Sequence, residues 1–144
     1  MVSVQKISAK QTHQIRLDIL RKGINLPVVF SGDLDPATFH LGVFEKNELK
    51  GIASFMKTDN VLFHKDQYQL RGMATVKEAR GKGYGKLMIL RAFELLRQKQ
   101  VHVLWCNARA EAFGFYKRLG FLQEGNRFEI EQIGTHYTLF KMLV

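Results

Sequence analysis

Between Arg80 and Lys86 the chain places glycine at positions 81, 83 and 85 and a cation at 80, 82 and 86. The residues before this stretch, roughly 66 to 76, read as a strand, and those after it take on helical period. A helix that starts from such a turn offers backbone N–H groups without intrahelical acceptors, and its dipole favours negative charge. Three missing side chains let an anion approach those amides, and pyrophosphate is their natural occupant. Arg80, Lys82 and Lys86 add charge from the rim. A flexible surface turn rich in glycine and lysine has the same composition, so the stretch alone leaves both readings open.

Spacing removes two competitors. A Walker loop follows its Gly-Lys with a hydroxyl that holds magnesium, and here Lys86 is followed by Leu87. A dinucleotide fingerprint needs Gly-x-Gly-x-x-Gly early in the chain and a carboxylate about twenty residues on. Here Gly81-x-Gly83-x-Gly85 lies past the midpoint, and the segment after the helix, HVLWCNA, has no carboxylate.

The 144 residues suit a single domain, 1–144, with a real core. Apolar runs are only a few residues long and the N-terminus lacks the core of a secretory signal, so a cytoplasmic protein without a membrane span is expected. The one cysteine, Cys106, excludes an internal disulfide, and the five histidines show no ligand spacing, so no metal is expected. The net charge of +9 calls for an anionic partner. Nucleic acid, an acidic protein and a phosphorylated cofactor all suit such a field. The cluster Lys77, Arg80, Lys82 and Lys86 around the glycines favours the cofactor, and other cations are scattered as on a solvated face.

Periodicity supplies the elements. SVQKI (3 to 7) reads as a strand. A helix follows from Gln11 to Lys22, with Ile15, Ile19 and Leu20 on one face, Ser8 as cap and Gly23 as stop. INLPVVFSGDLDPAT is irregular, the composition of a mobile loop over a site. FHLGVFEKNELKGIASFMK gives a hairpin turning at Glu45 to Glu48. The helix from Lys86 to Lys99 shows one polar stripe, Arg91, Glu94 and Gln98, and is expected to be packed over most of its circumference, Leu87 and Leu90 included. VHVLWC (101 to 106) is a buried strand, ARAEAFGFYKRLGF (108 to 121) a helix ended by Gly120, and HYTLFKMLV a last strand. The order predicts an α/β fold with a mixed central sheet of about six to seven strands flanked by helices.

These residues resemble a known family. Arg80-Gly81-Lys82-Gly83-Tyr84-Gly85 matches the Arg/Gln-x-x-Gly-x-Gly/Ala loop of the GNAT superfamily of N-acetyltransferases, and LRGMATVKEA before it is similar to that family's fourth strand. Asn107 followed by AFGFYKRLGF (112 to 121) resembles the second signature, a helix that carries Phe-Tyr and ends in Gly-Phe. The resemblance implies acetyl-CoA as acyl donor, an amine acceptor on a small molecule or protein, and direct attack in a ternary complex. It implies that the backbone of Met73, Ala74, Thr75 and Val76 bonds the pantetheine and polarises the acetyl carbonyl. The pyrophosphate falls to Arg80, Gly81, Lys82, Gly83, Tyr84, Gly85 and Lys86. Asn107 would bond the pantetheine arm, or simply cap the helix after it.

Tyr116 is the candidate catalytic side chain, because the departing thiolate of CoA needs a proton and a phenol can supply it. A core tyrosine with a backbone partner is the plainer alternative. The base is not visible. Glu78 suits a cap or an ion pair and Glu111 a helix surface. His136, in IGTHYTLFKM, resembles the Ile-Gly-Pro-His segment of some bacterial relatives, with Thr135 in place of the proline, and is placed near the acceptor without a role. Arg71 suits either a carboxylate of the acceptor or an ion pair within the fold. Cys106 is read as packing. A non-catalytic acyl-CoA-binding module is the alternative function. A nucleic-acid binder would explain the charge but not the motif order, and no nucleic acid is expected. The resemblance leaves a homodimer open.

Overall fold

The computed structural model describes residues 1–143. Among them are strands β1 (Val2–Ile7), β2 (Phe39–Glu45), β3 (Glu48–Met56), β4 (Gln67–Thr75), β5 (Val103–Arg109), β6 (Leu122–Ile130) and β7 (Gly134–Met142). The α-helices are α1 (His13–Ile15), α2 (Tyr84–Gln98) and α3 (Phe113–Arg118). The strands form one mixed sheet in the order β1-β2-β3-β4-β5-β7-β6, with β4 and β5 parallel and the pairs β1–β2, β2–β3, β5–β7 and β6–β7 antiparallel. This is the expected class. Two compact units divide the chain: Met1–Met56 with Arg71–Ala92, and Lys57–Leu70 with Phe93–Val144.

The first unit opens with β1 and a helical stretch of three pitches: a 3-10 turn Lys10–Thr12, α1, and a π turn Arg16–Leu20. Ser8 and Gln11 cap it reciprocally. The Gln11 N–H donates to Ser8 Oγ (3.3 Å) and the Ser8 N–H to Gln11 Oε1 (2.8 Å), so two orphan donors are satisfied by a Ser-x-x-Gln box. The predicted helix face is real, since Ile15 packs with Ile52 and Ala74, and Ile19 and Leu20 lie against that cluster. The hairpin turns where expected. Lys46 and Asn47 take positive φ (52° and 66°) between the paired Glu45 and Glu48, a two-residue turn whose twist matches the strands.

The second unit shows where sequence patterning misled. Of VHVLWC only Val103 to Cys106, all buried, lie in β5, which runs on to Arg109. The predicted helix 108–121 is shorter: a 3-10 turn Ala110–Ala112 leads into α3. Gly120 ends it as predicted. At φ +91° its N–H reaches Lys117 O (3.0 Å) and the Phe121 N–H reaches Tyr116 O (3.1 Å), the paired bonds of a glycine C-cap. The tail holds two strands rather than the single HYTLFKMLV. β6 went unseen because LQEGNRFEI is largely polar and exposed, without the apolar alternation of a half-buried strand.

Helix α2 starts at Tyr84, two residues earlier than predicted. It is packed over less of its circumference than its composition implies. Met88, Ile89, Ala92, Phe93 and Leu96 are buried, whereas Leu87 and Leu90 remain 40% and 41% exposed.

Candidate active site

In the first unit β4 ends at Thr75, Val76 is extended, Lys77–Ala79 form a 3-10 turn and Arg80 is extended again. Gly81 and Gly83 then take φ of +81° and +80°, which side-chain-bearing residues rarely adopt. A Cβ built on either would meet nothing within 4 Å. Packing of the chain on itself therefore does not demand these glycines, and the space above both backbones is open. The Leu87 N–H bonds Gly83 O (3.1 Å), so the helix hydrogen bonds begin there and the N–H groups of the first turn are left over. Glycine conformation, open space and unused donors fit a phosphate.

The charges on this turn are partly committed. Lys82 Nζ lies 3.1 Å from Glu45, whose carboxylate also accepts a bond from the Tyr84 hydroxyl (2.8 Å). The Tyr84 bond, then that of Lys82, lower the Glu45 pKa. Lys82, expected to serve phosphate from the rim, faces a carboxylate in this structure. Glu78 pairs with Lys50 (3.6 Å), as one of its two expectations had it. Arg80 and Lys86 form no ion pair among the described residues.

Sequence reasoning missed a buried polar cluster in the same unit. Arg16 is fully buried and bonds Asp33 twice (2.7 and 2.9 Å), Ser54 Oγ (2.9 Å) and Val28 O (2.8 Å). The Ser54 hydroxyl bonds His40 Nδ1 (2.7 Å), which leaves His40 Nε2 to donate to Asp33 O (3.1 Å). Burial raises the Asp33 pKa, but the bonds from Arg16 and the Phe30 N–H outweigh it and hold the carboxyl below its ordinary value. The cluster ties down INLPVVFSGDLDPAT, which was expected to be mobile. One signal was available: Arg16 lies three and four residues before Ile19 and Leu20, a charge inside the apolar stripe.

The ring of Phe30 is surrounded by guanidinium groups. Arg16 Cζ lies 3.7 Å from its centroid, Arg71 Cζ 4.6 Å and Arg21 Cζ 5.3 Å. Arg71 has no ion pair among the described residues, and its one polar contact is Met56 Sδ at 3.9 Å. The ion pair within the fold, one of its two expected roles, is absent there. Burial, and then the charge of Arg16, pull the Arg71 pKa down, with Asp33 opposing.

The second unit carries the other candidates. Tyr116 is 7% exposed, and its ring meets Phe121 and Phe115 edge-on at 5.2 and 5.1 Å. Its hydroxyl interacts with the Cys106 thiol. Burial, then the thiol, push the phenol pKa well above its ordinary value, and Cys106 is pushed up for the same first reason. Asn107 caps no helix. It stands on β5, where Oδ1 accepts from the Thr138 hydroxyl (2.9 Å), and its amide NH2 is unbonded among the described residues. His136 is buried and stacks near Phe128 (5.8 Å), with Nδ1 on Gly134 O (2.8 Å). A carbonyl can only accept, so Nδ1 carries a proton in this bond. No group of three or more metal-ligating side chains occurs among the described residues, and no helix there is long and apolar enough to cross a membrane.

A mixed sheet whose fourth strand feeds a glycine turn at a helix start is the frame of an acyl-group transferase. The model of the acetyltransferase (GNAT) family matches residues 9–121. The chain belongs to that family and is an N-acetyltransferase of it. A Bacillus subtilis (strain 168) protein named "Uncharacterized N-acetyltransferase YitI" is 37% identical over 145 residues, covering 99% of this chain and 97% of its own. Among solved structures, Escherichia coli ElaA superimposes with a TM-score of 0.81 at 16% identity over 98% of this chain and 99% of its own. An aminoglycoside 6'-N-acetyltransferase complexed with coenzyme A gives 0.79 at 8% identity over 99% and 97%. These two show the shared fold.

Proposed function

We propose that the chain transfers an acetyl group from acetyl-CoA to the amine of an acceptor that also carries an anionic group. The observation behind the donor half is the open turn at Gly81 and Gly83, whose amides, with the first turn of α2 and the charges of Arg80 and Lys86, suit a pyrophosphate. A solved acetyltransferase that shares this fold is complexed with coenzyme A, which supports this reading. The backbone of Met73 to Thr75 at the end of β4 and of Val76 after it, with the amide of Asn107, are assigned to the pantetheine. An isothermal titration of acetyl-CoA tests it. Wild type is expected to saturate and Gly83→Glu to lose binding, because a side chain and a negative charge would enter the phosphate space. Equal binding by a folded Gly83→Glu variant would move the donor elsewhere.

The observation behind the acceptor half is Arg71, half-buried, cationic and without a carboxylate partner among the described residues. Burying a charge is costly unless something pairs it, and an anion on the acceptor would do so. In the reaction the amine lone pair attacks the thioester carbonyl carbon, the C–S bond breaks, and sulfur leaves with the bonding pair. We assign to Tyr116 the proton that neutralises this thiolate. His136 Nε2 is assigned the proton released by the amine. Arg71→Ala is expected to raise KM at least about tenfold for amino acids and aminophosphonates and to leave simple amines unchanged. Thiol release across such a panel measures this, and an equal change for both classes would remove the anionic requirement.

A further inference from the structure

We infer that Phe30 determines acceptor specificity by fixing the guanidinium of Arg71, an inference that rests on the anionic-acceptor reading above. Arg16 and Arg71 are two like charges beside one ring, and each repels the other. The π face of an aromatic ring attracts both, which an aliphatic side chain of the same bulk does not. Among the described residues Arg71 is otherwise held only by a weak contact to Met56. Without the ring, no other hydrogen bond or ion pair there would keep it from swinging away from Arg16.

The segment that carries the ring is tied by two hydrogen bonds, and the ring lies against Gly72. The Phe30 N–H donates to Asp33 Oδ2 (2.9 Å), and Val28 O, two residues earlier, accepts from Arg16 (2.8 Å). Gly72, the sequence neighbour of Arg71, takes φ +61°, and a Cβ built there would come within 2.7 Å of Phe30 Cε2. The ring therefore occupies the place where β4 would carry a side chain next to Arg71. An aromatic residue at 30, a glycine at 72 and an arginine at 71 form one device. Phe30 acts through Arg71, so it is a positioning residue.

The test measures malonate binding to the CoA-saturated full chain by isothermal titration, with KM for aspartate and for n-butylamine alongside. Phe30→Leu is expected to weaken malonate and raise the aspartate KM at least about tenfold. The acetyl-CoA Kd and the butylamine KM are expected to stay within about twofold, and Phe30→Tyr to restore malonate binding. Arg71→Lys keeps the charge but not the planar stacking group, and is expected to lose malonate too. A wild-type response retained by Phe30→Leu or by Arg71→Lys would overturn the inference alone. So would a Phe30→Leu variant that raises both amine KM values equally, the mark of a merely structural role. No malonate or aspartate response in wild type would overturn the anionic-acceptor reading and this inference with it.

Discussion

Tyr116→Phe is expected to lower kcat at least about a hundredfold while the Kd for acetyl-CoA stays within about twofold. The substitution removes one oxygen from a ring that keeps its edge-on neighbours Phe115 and Phe121, so packing survives. What is lost is a proton donor. Burial keeps the phenol protonated across neutral pH, the state in which it can give a proton to a leaving thiolate. A basic thiolate left without an acid is a poor leaving group, and the loss should therefore fall on turnover. The variant also leaves the Cys106 thiol without its phenol partner. Cys106→Ala separates the two effects, since a kcat close to wild type there would show that the thiol is packing. Pre-steady-state thiol release and titration of acetyl-CoA on Tyr116→Phe decide the matter, and an unchanged kcat would take the acid role from this residue.

Arg16→Met is expected to cost about 3–5 kcal/mol of stability in urea unfolding, because it strands a carboxylate that is 5% exposed. Arg16→Met with Asp33→Asn should recover part of the loss, since the stranded charge is then gone. Acid has a related effect of defined sign. The Asp33 carboxyl is lowered in the folded protein, so its contribution is complete above the ordinary carboxylate range of about 4 and is lost as pH falls through the lower folded value. Asp33→Asn should flatten the stability curve in that window. An Arg16→Met variant as stable as wild type would mean that the pair contributes no net stability.

The elements that the sequence disclosed are those in which local chemistry and final position agree. Ser8 and Gly120 act within a turn of where they stand, so their capping roles could be read without the fold. The turn at Gly81 and Gly83 was legible for the same reason. What stayed hidden depends on contacts far apart in the chain. Nothing near position 33 announces that Asp33 will meet Arg16, and nothing near 30 that Phe30 will fill the space at Gly72. β6 lacked an apolar face because it is an exposed strand at the end of the sheet order. Leu87 and Leu90 were counted as buried on hydrophobicity alone, yet an apolar residue on a surface is ordinary. Lys82 was read by its neighbours in sequence, and its partner Glu45 stands at the end of β2.

The π turn over Arg16–Leu20 closes on the Arg21 N–H, which bonds Arg16 O at 3.0 Å. In a regular α-helix, residues five apart point about 140° away from each other. A turn that closes over five residues stacks them, so the arginines at both its ends face one ring. The pitch of this short segment therefore decides which arginines meet the ring. Regular α pitch with every residue kept would send the second arginine around to another side, whereas a chain with one residue fewer would hold the two four apart, about 40° from each other on one face. At this point the pitch matters more than the count of residues.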